Sequence, residues 1–322
     1  MNEASLFDIG LLSAVCIAAF ILTPLMINVL GAKLPRDHGR EFAVAGEKSK
    51  GKIRGAGVVM MPIFAVLGIA ASRFAVPDIC FGVILILAML TGYLDDRSET
   101  PWSELKKGIA DLVECLLAAA VIVLFEPEAV CLRFAGSVVE VSKPLYVVLA
   151  AFFLWLMINA FNCTDGIDGL LSGLSINSMA AAVICAFLLG TQGKVLGPAA
   201  VMTAVLLGYL LLNTEPSTVL MGDAGSRPLG LFAGILFLRM GNALLAIPLC
   251  IVILLDGLLG LVKLTVLRVL KTKNFMAKLR TPLHDHLRKN KGASNAQVRY
   301  IFNLVQLIVS LIVIIDLMIA AR

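Results

Sequence analysis

Apolar residues run in ten long windows along the chain, near residues 8 to 30, 56 to 73, 76 to 94, 109 to 126, 144 to 161, 170 to 190, 195 to 212, 227 to 240, 243 to 268 and 300 to 320. Windows of this kind suit helices that cross a hydrocarbon layer about 30 Å thick, which takes roughly 20 residues each. A short Val/Glu alternation within residues 127 to 143 predicts instead a small extracellular hairpin. The pattern predicts an all-α integral membrane protein with about ten transmembrane helices, one polytopic domain over residues 1 to 322.

The polar connections alternate in character. Of the 27 Lys and Arg residues, Arg73, Arg133, Lys143, Lys194 and Arg239 belong to one side and Arg322 is terminal; all others belong to the opposite side. Basic residues accumulate on the cytoplasmic side, so both termini are predicted to be extracytoplasmic and the odd-numbered connections cytoplasmic. The first residues, Met1 to Asp8, lack the basic segment of a cleavable signal, so the first apolar run is expected to stay as a transmembrane helix.

Composition agrees with lipid as the solvent. The 322 residues are 59% hydrophobic and 15% charged, and the mean hydropathy of +0.94 lies outside the range of soluble domains. Seven cysteines stand singly, mostly inside apolar runs, which argues against a disulfide framework or a zinc site. No internal repeat is visible in the sequence, which weakens the reading as an inverted-repeat, ion-coupled transporter. Such a transporter would also carry its acidic groups near mid-membrane.

Most acidic groups fall instead at the cytoplasmic side. Asp165 and Asp168 lie in the stretch Asn159 to Gly169, where one apolar run stops and the next begins. A helix starting near Thr164 would put both carboxylates on one face of its first turn, and Thr164 or Asp165 could alternatively serve as a plain N-cap. Asp95, Asp96 and Asp223 stand at the edges of other cytoplasmic connections, facing Lys48, Lys50, Lys106 and Lys107. Carboxylates and cations crowded on one side suit a phosphorylated anion with a hard cation such as Mg²⁺, which prefers one or two carboxylates plus phosphates and water. Gly222 to Ser226 reads as a tight turn feeding a helix N-terminus, a place where an anion is favoured. His284 and His286 share a face only in an extended segment. Within apolar runs, Asp111 and Glu114 could pair with Lys106 or Lys107, and Asp256 with Lys263, while Gly257 and Gly260 could bend the ninth run. Gly166, Gly169 and Gly173 read as close-packing positions.

Together Asn162-x-Thr-Asp165-Gly-x-Asp168-Gly, Asn213-x-x-Pro216, Met-Gly222-Asp223-x-Gly-Ser, the upstream Asp95-Asp96 and the downstream Thr-Pro-Leu-His284-Asp-His286 resemble the polyprenyl-phosphate N-acetylhexosamine-1-phosphate transferase superfamily over nearly the whole chain. The layout is most similar to its phospho-N-acetylmuramoyl-pentapeptide transferase branch. The resemblance implies ten helices, a cytoplasmic active site and a place in the bacterial cytoplasmic (inner) membrane. It implies Mg²⁺ as cofactor, with UDP-N-acetylmuramoyl-pentapeptide and undecaprenyl phosphate as substrates, lipid I and UMP as products, no nucleic-acid partner and a homodimer. By position it makes Asp95, Asp96, Asp223 and His284 catalytic, with Asp223 the metal ligand. Substrate contacts would come from Lys48, Lys50, Lys106, Lys107, Asn162, Asp165, Asp168, Asn213, Leu220, Gly222, Lys263 and His286. The sequence departs from that pattern in several places. Asp285 interrupts a run of three histidines, Leu220 replaces a phenylalanine expected to stack on uracil, and Arg227-Pro228 replaces small apolar residues. The first cytoplasmic loop lacks the usual Thr-Pro-Thr-Met-Gly-Gly, and Asp95-Asp96-Arg97 is also similar to the sister branch that transfers N-acetylglucosamine-1-phosphate.

Overall fold

The structure is a computed structural model that describes residues 3–37, 49–98, 100, 102–134, 137–271 and 274–320. Helices stand where the apolar windows fall: α1 (Glu3–Leu30), α2 (Gly57–Ala71), α3 (Val76–Arg97), α4 (Glu104–Phe125), α5 (Lys143–Thr164), α6 (Leu170–Leu188), α7 (Gln192–Asn213), α8 (Asp223–Arg239), α9 (Ala246–Leu249), α10 (Ile251–Val269) and α12 (Asn295–Ala320). The amphipathic α11 (Leu283–Lys291) precedes the last of these. Among the described residues, seven helices are long and apolar enough to cross a membrane, and the pair α9 and α10, bent by 94°, makes an eighth when counted as one span. The chain is a multi-pass membrane protein. The other two expected spans, α2 and α8, have 15 and 17 residues. At 1.5 Å per residue they reach about 23 and 26 Å, short of a ~30 Å hydrocarbon layer.

The short α8 is central. Its residues from Ala224 to Arg239 are all buried, Arg227 and Arg239 included. α3 and α5 flank it, with Phe161, Met157 and Phe237 among the fully enclosed side chains. The outer helices α1 and α12 present Ile17, Val29, Ile308 and Ile312 outward, as a lipid-facing surface requires.

Four short strands complete the fold. β1 (Ile53–Arg54) pairs in parallel with β4 (Val219–Leu220), aligning Arg54 with Leu220. The hairpin expected within residues 127 to 143 is present as β2 (Cys131–Phe134) and β3 (Ser137–Glu140), antiparallel with Cys131 opposite Glu140.

Two local expectations are corrected. The bend in the ninth apolar run lies at Cys250, just after Pro248, and not at Gly257. There Gln306 of α12 accepts from Val252 N at 3.1 Å and donates to Pro248 O at 3.0 Å, pairing backbone groups that the break frees. Gly257 is a packing position, since a Cβ on it would lie 2.5 Å from Ala160 O. Likewise no helix begins near Thr164. α5 ends there, its hydroxyl donating back to Ala160 O, and α6 starts only at Leu170. Asp165 and Asp168 therefore sit in the turn between two helices, held in the non-helical path that the left-handed Gly169 (φ 75°) closes.

Candidate active site

The site is built around the N-terminus of α8. Gly222, with φ 71°, turns the chain so that Asp223 becomes the first helical residue, and it supplies no side chain to cap the helix. Asp96 of α3 takes that role from outside, accepting from Ala224 N at 3.1 Å. Only glycine fits between them: a Cβ on Gly222 would stand 2.4 Å from Asp96 Oδ2. A Cβ on Gly92 would stand 2.4 Å from Asp223 O, so α3 can approach the start of α8 this closely only without one.

Asp95, Asp96, Asp168 and Asp223 each have a cation beside them. Asp95 accepts from Trp102 N at 2.8 Å and lies 2.7 Å from Lys107 Nζ, which is also 3.9 Å from Asp223 Oδ2. Arg54 Nη2 lies 2.8 Å from Asp96 Oδ1, and Arg54 Nη1 lies 3.6 Å from Asp37. Burial alone would lower the Arg54 guanidinium pKa, but Asp96, Asp223 and Asp37 around it outweigh that and raise it, so it stays cationic. Lys52 donates to Asp168 Oδ2 at 2.9 Å and to Ser217 Oγ at 2.7 Å. The parallel pairing of β1 with β4 carries Lys52 and Arg54 into this position.

Lys52, Arg54, Asp168 and Asp223 border an open cleft of about 500 Å³, whose lining also includes Asn162, Asp165, Asn213, Leu220, Gly222, Arg288 and Asn295. Acidic and basic groups face the same volume. That arrangement has room for a multiply charged ligand and counter-charges for its phosphates.

The profile of glycosyl transferase family 4 matches residues 79–241. The phospho-N-acetylmuramoyl-pentapeptide transferase of Treponema pallidum (strain Nichols) is 38% identical over 294 residues, which is 85% of this chain and 80% of that protein. The chain belongs to the phospho-N-acetylmuramoyl-pentapeptide transferase family. A second member, from Staphylococcus carnosus, is 29% identical over 324 residues and covers 92% of this chain and 96% of its own.

Within this family frame the expected site residues separate into groups. Asn162, Asp165, Asp168, Asn213, Leu220, Gly222 and Asp223 all line the cleft. Asn213 ties two loops together, accepting from Gly169 N at 2.8 Å and donating to Val219 O at 2.7 Å. Asn162 donates to Ser226 Oγ at 3.0 Å. Asp95, Asp96 and Lys107 stand behind Asp223, as above.

Other expected contacts lie elsewhere. Lys48 lies outside the described residues, and Lys50 is exposed away from the cleft lining. Lys106 rests over the Trp102 ring, 3.4 Å from its centroid. Lys263 donates to Leu279 O at 2.6 Å and does not pair with Asp256. Asp256 instead accepts from the His284 backbone N–H at 2.8 Å and faces His284 Nδ1 at 2.8 Å. His284, expected as a catalytic group, is 3% exposed and stands behind the Asp165–Gly169 turn, where a Cβ on Gly166 would lie 2.2 Å from its Nε2. His286 diverges from it on α11 and accepts from Arg280 N at 3.2 Å. Asp111 and Glu114 pair with neither Lys106 nor Lys107. Their partners are Arg227 and Thr91.

Lys52, Arg54, Asp37 and Arg288 were not expected at the site. A signal for the first two was available: Lys52 and Arg54 alternate around Ile53, as on one face of a strand, just before a Gly-Ala-Gly segment.

Proposed function

We propose that this family member transfers phospho-N-acetylmuramoyl-pentapeptide from its UDP donor to undecaprenyl phosphate, giving lipid I and UMP, at the cytoplasmic face of the bacterial inner membrane. About ten helices would span that membrane, with the short α2 and α8 enclosed by the longer ones. The observation that carries the reading is the open cleft in which Asp223 faces Lys52 and Arg54, with Lys107 bridging Asp223 to Asp95.

Lys52 and Arg54 hold donor phosphates, exchanging their carboxylate partners for phosphate oxygens. Asp95 or Asp96 takes the proton of the lipid phosphate, whose oxygen attacks the sugar-linked phosphorus while the bond to the UMP oxygen breaks. Lys107 offsets charge on the departing UMP. Among the described residues no three His, Cys, Asp or Glu side chains converge as a metal cage. The Asp223 carboxylate in the cleft suits Mg²⁺, which is content with one or two carboxylates when phosphates and water complete its shell. Asp223, at the open edge of the cleft, would be the main protein ligand, and the cation supplies neutralisation of phosphate charge.

The test is UMP release by the full chain in lipid bilayers given Mg²⁺, undecaprenyl phosphate and either UDP-N-acetylmuramoyl-pentapeptide or UDP-N-acetylglucosamine. Release with the first donor alone is expected. No release with either would defeat the transferase reading, and release only with the second would move the protein to the sister branch. Exchange of labelled UMP into the donor without lipid acceptor would replace the single displacement by a two-step route through an aspartyl intermediate.

A further inference from the structure

Asp95, Lys107 and Asp223 meet although they belong to three different helices. Four residues deeper on the same three helices stand Thr91, Asp111 and Arg227. Four residues advance a helix by about 6 Å and return to the same face, so the second set forms a layer directly beneath the first. Arg227 Nε donates to Asp111 Oδ1 at 3.2 Å, and Arg227 Nη2 donates to the same oxygen. Thr91 Oγ1 donates to Glu114 Oε1 at 2.8 Å, linking α3 to α4 three residues beyond Asp111. Asp111, Glu114 and Arg227 are 5%, 3% and 3% exposed, and none of them borders the cleft. They form a layer beneath the groups assigned to the chemistry.

Helices surrounded by lipid have little hydrophobic force to fix how they sit against each other, because a lipid tail is as apolar as leucine. Apolar side chains alone leave sliding and rotation cheap. A buried charge pair has one good geometry, and separating its members leaves an unpaired charge at large cost.

We propose that Asp111 and Arg227 are positioning residues: with Thr91 and Glu114 they set the register of α3, α4 and α8, and so hold Lys107 between Asp95 and Asp223. The inference rests on the transferase reading for its effect on turnover, but the register itself is measurable without substrate.

The experiment compares wild type, Asp111→Asn, Arg227→Lys and the apolar pair Asp111→Leu with Arg227→Leu, all as full chains in lipid nanodiscs. Kinetics of UMP release, amide hydrogen exchange and melting temperature are read on each. Asp111→Asn and the apolar pair are expected to lower kcat about 10²-fold, the scale of a 1 Å misplacement, with donor KM changed by no more than about threefold. Their exchange in the cytoplasmic turns of α4 and α8 should rise. The apolar pair should nevertheless keep its melting temperature, since replacing both buried charges by packed apolar groups is tolerated. Arg227→Lys, which keeps the charge, should recover most of kcat. An apolar pair that matches wild type in both exchange and kcat would overturn the lock. A wild type releasing no UMP would overturn the transferase reading instead, and hydrogen exchange would still decide the lock.

Discussion

The two ends of α8 use the same residue types for different purposes. At one end Arg239 donates to Glu126 at 3.0 and 2.8 Å and to Asp78 at 2.7 Å, while Lys194 stands 3.9 Å from Glu126. These partners come from the start of α3, the end of α4 and the start of α7, so the cluster ties helix ends together. Asp78 and Arg239 line a narrow, mostly apolar cavity of about 20 Å³. At the other end Asp223, Arg54, Asp168 and Lys52 line about 500 Å³ of open cleft, with Asp96 and Lys107 paired to Arg54 and Asp223 just behind them. Pairing alone therefore does not mark a functional charge. What differs is volume: ions that pair in a closed core are finished, whereas ions bordering an open space can exchange a protein partner for a ligand.

The largest test of that contrast is Asp223→Asn, which should reduce UMP release by about 10⁴-fold, the scale of losing an essential member of a catalytic unit. Its melting temperature should stay near that of wild type, and a variant retaining a tenth of the activity would remove Asp223 from the chemistry. Next comes Arg239→Met, which leaves Glu126 and Asp78 without their cation and should cost about 3–5 kcal/mol of stability. Thermal unfolding in lipid measures this, and donor KM should not move; a raised KM would show that the two ends are coupled. Arg54→Leu should lower kcat/KM by about 10- to 10²-fold, the worth of a charge-assisted contact, chiefly through donor KM. An unchanged KM would make Arg54 a mere counter-ion to Asp96.

The smallest effect belongs to the rim of the closed end. Lys194 donates to Glu128 and holds its carboxyl below the usual range. A depressed folded pKa contributes stability above the unfolded value, about 4.3 for Glu, and that stability is lost as pH falls through the folded pKa. Glu128 is largely exposed, so screening limits the term to a few tenths of a kcal/mol. Glu128→Gln should therefore lower the melting temperature slightly at pH 7, by an amount that shrinks as pH falls through the folded pKa.

Much of the site was legible as a set of one-sided loops. Asp95, Asp96, Asp165, Asp168 and Asp223 each interrupt apolar sequence, and a local interruption needs no tertiary knowledge to notice. The cations were harder. Lys50 and Lys52 look alike in a basic loop, and only the pairing of β1 with β4 turns Lys52 and Arg54 toward the cleft while Lys50 stays outside it. The ion pairs inside helices depend on the same tertiary placement. Asp111 has basic residues nearby in sequence, at 106 and 107, yet its partner is Arg227 on another helix.

The sequence by itself determined where helices form, that they lie in lipid, and which connections carry charge. A backbone in hydrocarbon must satisfy its polar groups within each segment, so a long apolar window has little choice but a helix. Tertiary structure alone decided partnership: Asp96 capping α8, His284 held by Asp256 behind the cleft, Gln306 bridging the break at Cys250. Those contacts depend on how each helix is rotated and how deep it sits against the next. Hydropathy, nearly equal on every face of helices such as α1 and α5, carries no record of either.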